Sequence, residues 1–182
     1  MFLFKKRDSV RRKTIERLYG TIVAQTRMPV FYTAHGVPDT VEGRFDFLVL
    51  HMHLVNERLA ALGEAGVTLG QELLDLFFED MDGSLREIGI GDLTVPKKMR
   101  TLAEAYLGRS ALYGPAIAKH DETALAAAIA RNVLSDADPE AGRLLAGYAM
   151  ESARRLGDQP LERFLDGAIE FPVPEQAASH VR

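Results

Sequence analysis

Two histidines, His51 and His53, sit within the apolar run FDFLVLHMHLVNERL and are the first residues here to suggest chemistry. On a helix, side chains two apart point roughly 200° from each other, so these two cannot share a metal. His53 and Glu57 are four apart and could co-ligate, but no third ligand is spaced to join them. The His-Glu-x-x-His and Glu-x-x-His signatures of zinc and di-iron helices do not occur. A helix histidine beside Leu50 and Leu54 reads more readily as a hydrogen-bonded core residue than as a ligand. Asp80-Met81-Asp82-Gly83 superficially resembles a calcium loop, but its glycine comes early and Gly91 stands where a bidentate Glu is required. Gly89-Ile90-Gly91 lacks the third glycine and the preceding strand of a dinucleotide fingerprint. Ser9, Ser84, Ser110, Ser135, Ser152 and Ser179 have no nucleophile-elbow context. The reading is therefore not an enzyme, with no metal, cofactor or small-molecule substrate.

The 182 residues suit one sizeable core, and the absence of cysteine excludes disulfides and thiolate sites. No apolar run approaches the ~18–20 residues that cross a bilayer, and MFLFKKR is no secretory signal. A cytoplasmic protein is expected. The net charge of −4 hides an asymmetry: residues 1–27 carry eight cations and two acids, a net +6, which leaves −10 for the remainder. Such an arm suits an anionic membrane surface or the ribosome, with Phe2 and Phe4 as apolar tips and Lys5, Lys6, Arg7, Arg11, Arg12 and Lys13 as the charges. DNA is not implied.

The elements that must position these residues follow from periodicity. Ile15, Leu18, Tyr19, Ile22 and Val23 stripe a helix from Ser9 to Gln25, stopped by Met28-Pro29, and residues 1–8 form a basic flexible arm. Val30–Pro38 reads as an extended connector. Asp39 or Thr40, with Glu42, caps a helix to about Leu62 that is apolar on several sides. Thr68 and Gln71 form a capping box opening a helix to Ile88, closed by Gly89 and Gly91. Thr94 caps the next, with Pro96 in its first turn, a bend near Gly108 and an end or kink at Gly114-Pro115. Asp121 and Asp138-Pro139 open two more, and a short one follows Pro160. The tail 170–182 is expected to be loose. The fold class is all-α, a single-domain compact bundle of about seven helices over residues 9–169. Leu76, Phe78, Leu107, Leu112 and the pair Phe31-Tyr32 could supply an apolar patch for a partner.

Cations at a helix start are mildly disfavoured, so Lys97, Lys98 and Arg100 need an offset. It could come from Asp80, Asp82, Glu87 and Asp92, or from an external anionic partner.

Two blocks carry a family likeness. The first opens at Pro38, PDTVEGRFDFLVLHMHLVNERL, with Asp39, Thr40, Phe45, Leu50, His51, Arg58 and Leu59 at its marked positions. The second is DMDGSLREIGIGDLTVPKKMRTLAEAYLGR, and LYGTIVAQTR and Phe31-Tyr32 also fit. Over roughly Leu18–Arg131 the chain resembles the ubiquinol–cytochrome c chaperone family, the assembly factors of respiratory complex III. It departs from mitochondrial members at Arg44-Phe45, where they show an aromatic pair. The resemblance implies a non-enzymatic chaperone that holds newly made cytochrome b, peripheral on the cytoplasmic face of the inner membrane. The partner surface expected on it comprises His51, Arg58, Asp80, Asp82, Arg86, Glu87, Asp92, Lys97, Lys98 and Arg100. The competing reading is an RNA- or ribosome-binding adaptor that uses the basic arm.

Overall fold

Phe47 to Val55 is an unbroken run of buried residues, so the helix that carries it must be covered on every side. The computed structural model describes the backbone of residues 2–174 and the side chains from Arg11. Its elements are α1 (Phe2–Thr26), α2 (Pro29–Thr33), α3 (Val41–Ala60), α4 (Gly63–Glu87), α5 (Val95–Ala118), α6 (Glu122–Asn132), a 3-10 turn (Pro139–Gly142), α7 (Arg143–Gly157) and α8 (Leu161–Leu165). The class is all-α, as expected. Helices α1, α4, α5 and α7 surround α3, and α6 fills the space beside α5 and α7. Phe31, Phe47, Leu50, Met52, Leu59, Phe77, Tyr113 and Phe164 are fully buried in one core, each large apolar side chain contributing roughly 1.5–3 kcal/mol of transfer free energy.

Several boundaries differ from the sequence reading. The α1 backbone is helical from Phe2 rather than Ser9. The expected extended connector begins with α2, because Pro29 occupies a first-turn position and Phe31 is drawn into the core between Phe47 and Tyr148. Thr40 alone caps α3, its Oγ1 accepting from the Gly43 N–H at 3.0 Å, while Asp39 is diverted to an ion pair with Arg44. Helix α4 opens at Gly63; Thr68 lies inside it and donates to the Glu64 carbonyl, so no capping box forms there. Pro115 does not end α5 but sits within its last turn.

The segment after α8 is packed, not loose, through Pro174. Phe171 lies against the His51 ring at 5.3 Å, and Gln159 exchanges two hydrogen bonds with the Glu170 backbone. Arg155 donates to the Phe171 carbonyl. Residues 175–182, the rest of the expected tail, lie outside the described residues.

Asp138-Pro139 starts a 3-10 turn before α7 rather than α7 itself. Gly142 stands at the join and is closely packed: a Cβ there would stand 2.1 Å from the Ala126 carbonyl oxygen, so two backbones meet where no side chain fits. Gly142→Ala should therefore cost about 2–3 kcal/mol and lower Tm by roughly 5–10 °C. Gly157→Ala, which meets nothing within 4 Å, serves as control. A Gly142→Ala melting curve superposing on the wild type would contradict this close packing.

Both α3 histidines are core residues. His51 Nδ1 donates to the Phe47 carbonyl (3.0 Å), and Nε2 accepts from the Tyr148 hydroxyl (2.8 Å), which in turn accepts from Gln25. Burial pushes His51 and His53 down to about 4 from the usual 6.5. Burial also raises Asp46 to about 6, opposed by its ion-pair partner Arg109. The signs follow directly. The unfolded chain takes up two histidine protons below about pH 6.5 that the native state refuses down to about 4. Native Asp46 takes one proton below about pH 6 before the unfolded chain does, which returns part of the loss. The contribution is full above pH 6.5, and the net loss on acidification to pH 4 should be on the order of 3 kcal/mol. Urea unfolding at pH 7.5, 5.5 and 4.5 measures it, and stability rising toward pH 4.5 would refute the assignment.

Candidate partner-binding site

The corner between α4 and α5 is built by its glycine and its arginine. Gly89 adopts φ +87, and the Ile90 and Gly89 N–H groups bond back to the carbonyls of Leu85 and Arg86, closing α4 with a Schellman arrangement. Arg86 then ties the turn down: its Nε donates to Asp82 at 2.6 Å and its Nη1 to Asp92. Thr94 stands at the cap position of α5, although its side chain accepts no cap hydrogen bond, and buried Val95 anchors the helix start.

Three of the four acids at this corner are already engaged elsewhere. Asp82 and Asp92 are held by Arg86, and Asp80 accepts from the Tyr19 hydroxyl on α1 at 2.8 Å. Burial, reinforced by that hydrogen bond, raises the Tyr19 pKa so that its proton stays in place. Arg100 pairs within its own helix with Glu104. Lys97 and Lys98 are exposed, and among the described residues neither has a carboxylate partner. Among the described residues, the offset for two cations at the positive end of α5, roughly 0.3–1 kcal/mol each, therefore does not come from ion pairs with the neighbouring acids. Beside them Leu93 is 98% exposed and Ile88 66% exposed. The corner thus presents an apolar tip next to two uncompensated charges, and Glu87 is exposed at its edge.

Not all of the expected surface is assembled here. His51 has no exposure at all and lies beneath the surface of this fold. Arg58 lies at the far end of α4 from the corner, about 36 Å away along 25 helical residues, where its Nη2 donates to the Gln159 carbonyl. It fastens α3 to the α7–α8 junction. The apolar patch is dispersed as well: Phe31 is buried, Leu76 and Phe78 pack against the core, and only Leu107 and Leu112 stand exposed on α5.

The basic start of α1 is partly matched within the molecule. Arg11 pairs with Glu72 at 2.6 Å, and Arg12 bridges Glu79 and Glu16. These two cations are committed to α4 and to α1 itself, while Lys13 is exposed. The side chains of Phe2, Phe4, Lys5, Lys6 and Arg7 lie outside the described residues.

Two features escaped the sequence reading. The first is a seam between α3 and α5, where Asp46 and Arg109 pair at 2.8 Å with side chains 15% and 17% exposed. Asp46 and Arg109 are far apart in the chain, and the only available signal was a charged residue inside each apolar pattern. The second is a cavity of about 410 Å³ whose lining includes His35, Leu144, Tyr148, Pro172 and Val173. It forms because the segment after α8 folds back across α7. Among the described residues no three His, Asp or Glu gather as a metal site, and no helix is long and apolar enough to cross a membrane.

With this geometry in hand, comparisons with known proteins place the chain. The family described as Ubiquinol-cytochrome C chaperone matches residues 33–171, reaching beyond the Arg131 limit of the sequence resemblance. The Xenopus laevis protein named ubiquinol-cytochrome-c reductase complex assembly factor 1 is 27% identical over 142 residues, 77% of this chain and 70% of that protein. The crystal structure of a Cbp3 homolog from Brucella abortus is similar at a TM-score of 0.85 and 36% identity, covering 96% of this chain and 97% of that one. The core helix α3, the α4–α5 corner and the α3–α5 seam all fall inside the matched region, and the chain belongs to the ubiquinol–cytochrome c chaperone family.

Proposed function

We propose that this protein is an assembly chaperone that binds newly made cytochrome b and assists biogenesis of ubiquinol–cytochrome c reductase. The observation that carries the reading is the family match over residues 33–171, which takes in α3 to α8 and the corner. The geometry supports it in kind. The exposed corner offers apolar area at Leu93 and Ile88 with unpaired cations at Lys97 and Lys98. Such a combination suits a polypeptide that emerges at a membrane surface, with apolar residues next to polar ends. On this reading the protein grips its client and makes or breaks no bonds. It works peripherally on the cytoplasmic face of the inner membrane, where the client is inserted. The contact surface consists of Lys97, Lys98 and Arg100 with the rim Arg86, Glu87 and Asp92; Asp80 and Asp82 hold the corner in shape from behind.

Affinity capture from detergent-solubilised membranes tests the proposal. The wild-type chain should recover cytochrome b. The double reversal Lys97→Glu, Lys98→Glu should reduce recovery by about fivefold or more, as removal of two interface charges of about 0.5–1 kcal/mol each implies. Tm should stay within about 2 °C, because among the described residues neither side chain has an internal partner. Absence of cytochrome b from the wild-type eluate would overturn the function. Full recovery by the double reversal would overturn the corner as its contact surface.

A further inference from the structure

The seam between α3 and α5 holds polar groups that the fold leaves unanswered. His53 Nε2, Arg109 Nε, Arg109 Nη1 and the Tyr113 hydroxyl are all buried and have no hydrogen-bond partner, although His53 and Tyr113 are 2% and 0% exposed. Burying such groups without partners is unfavourable, so native cores rarely keep them without a use. An apolar side chain in place of Tyr113 or His53 would serve packing alone better. These groups also lie close together: the His53 and Tyr113 rings are 5.9 Å apart, and burial of Tyr113 is felt beside the Asp46–Arg109 pair. Arg109 also covers the Phe45 ring at 5.8 Å.

Of the two helices, α5 carries the residues that permit a bend. It contains Gly108, Gly114 and Pro115. Pro115 has no N–H for the Ala111 carbonyl, so the ladder is broken one turn from the helix end. Before that point the buried residues of α5 are only Val95, Tyr106 and Tyr113, whereas α3 is buried continuously from Phe47 to Val55.

We propose that α5 shifts off α3 about Gly114–Pro115 and that the opened seam receives an end of a client helix, whose free main-chain carbonyls accept from Arg109 and Tyr113. The acceptor is a neutral carbonyl rather than a carboxylate, because Asp46, Glu42 and Glu57 already place negative charge along α3 at this seam. A helix C-terminus exposes up to four such carbonyls, and its apolar side chains would meet Leu112, three residues from Arg109 on α5 and 47% exposed. The inference rests on the chaperone reading and adds the second contact surface and the chemistry it recognises.

Tyr113→Phe separates use from structure, since it removes one hydroxyl and keeps the ring. Tm of the full chain should be unchanged or slightly higher, because that hydroxyl has no partner in the closed state. Recovery of cytochrome b from solubilised membranes should nevertheless fall by about three- to tenfold, the effect of one lost buried hydrogen bond. Equal recovery by wild type and variant would overturn this inference alone. So would a Tm several degrees lower, which would show the hydroxyl bonded to an internal water in the resting fold. Absence of cytochrome b from the wild-type eluate would remove the chaperone reading and this inference with it.

Discussion

A helix buried on every side can carry polar side chains only if the surrounding elements bring partners to them, and α3 is such a helix. Where partners are supplied, the neighbours become fixed in register. His51 is bonded to the Phe47 carbonyl and to Tyr148 of α7, and Tyr148 in turn receives Gln25 of α1. Phe171 closes the same ring cluster from the returning C-terminal segment. One side of α3 is thus joined to three other parts of the chain by specific hydrogen bonds and ring contacts. The opposite side, facing α5, has one ion pair and several donors without acceptors. The proposed movement of α5 follows from that asymmetry, with α1, α3, α4 and α7 as the body it would leave.

The fold class was legible because hydrophobic periodicity and caps are local signals. Thr40 and Asp121 each cap the helix expected of them. The Gly89 turn closes α4 where a positive φ was required. Boundaries failed where a tertiary contact overrode the local rule. Thr68 and Gln71 match a capping box, yet α4 had already begun at Gly63. Gly114-Pro115 is expected to end or kink α5, and packing of Tyr113 and Ala116 against the core carries the helix on to Ala118. The prolines of the tail suggested looseness, and nothing in the sequence indicated that Gln159 and Arg155 would satisfy its backbone.

The corner was legible for a different reason: charges on a helix start are conspicuous without any knowledge of tertiary structure. The sequence could not say which acids would answer them. Arg86 and Tyr19 engage three of those acids, and among the described residues Lys97 and Lys98 have no carboxylate partner. His51 misled for the same reason that it matters. Its place in a family motif suggested a contact residue, whereas its full burial makes it a clasp between helices. Arg58, half-buried, is likewise tied within the fold, through the Gln159 carbonyl. The seam was illegible because Asp46 and Arg109 are brought together only by the packing of α5 on α3.

The central claim is that α3 is the fixed post and α5 the arm that yields. Hydrogen–deuterium exchange resolved by peptide tests it most directly. Amides of residues 49–55 should exchange only through global unfolding, while those of residues 99–113 should exchange about a hundredfold faster or more through local opening. Equal protection of the two segments would contradict the account.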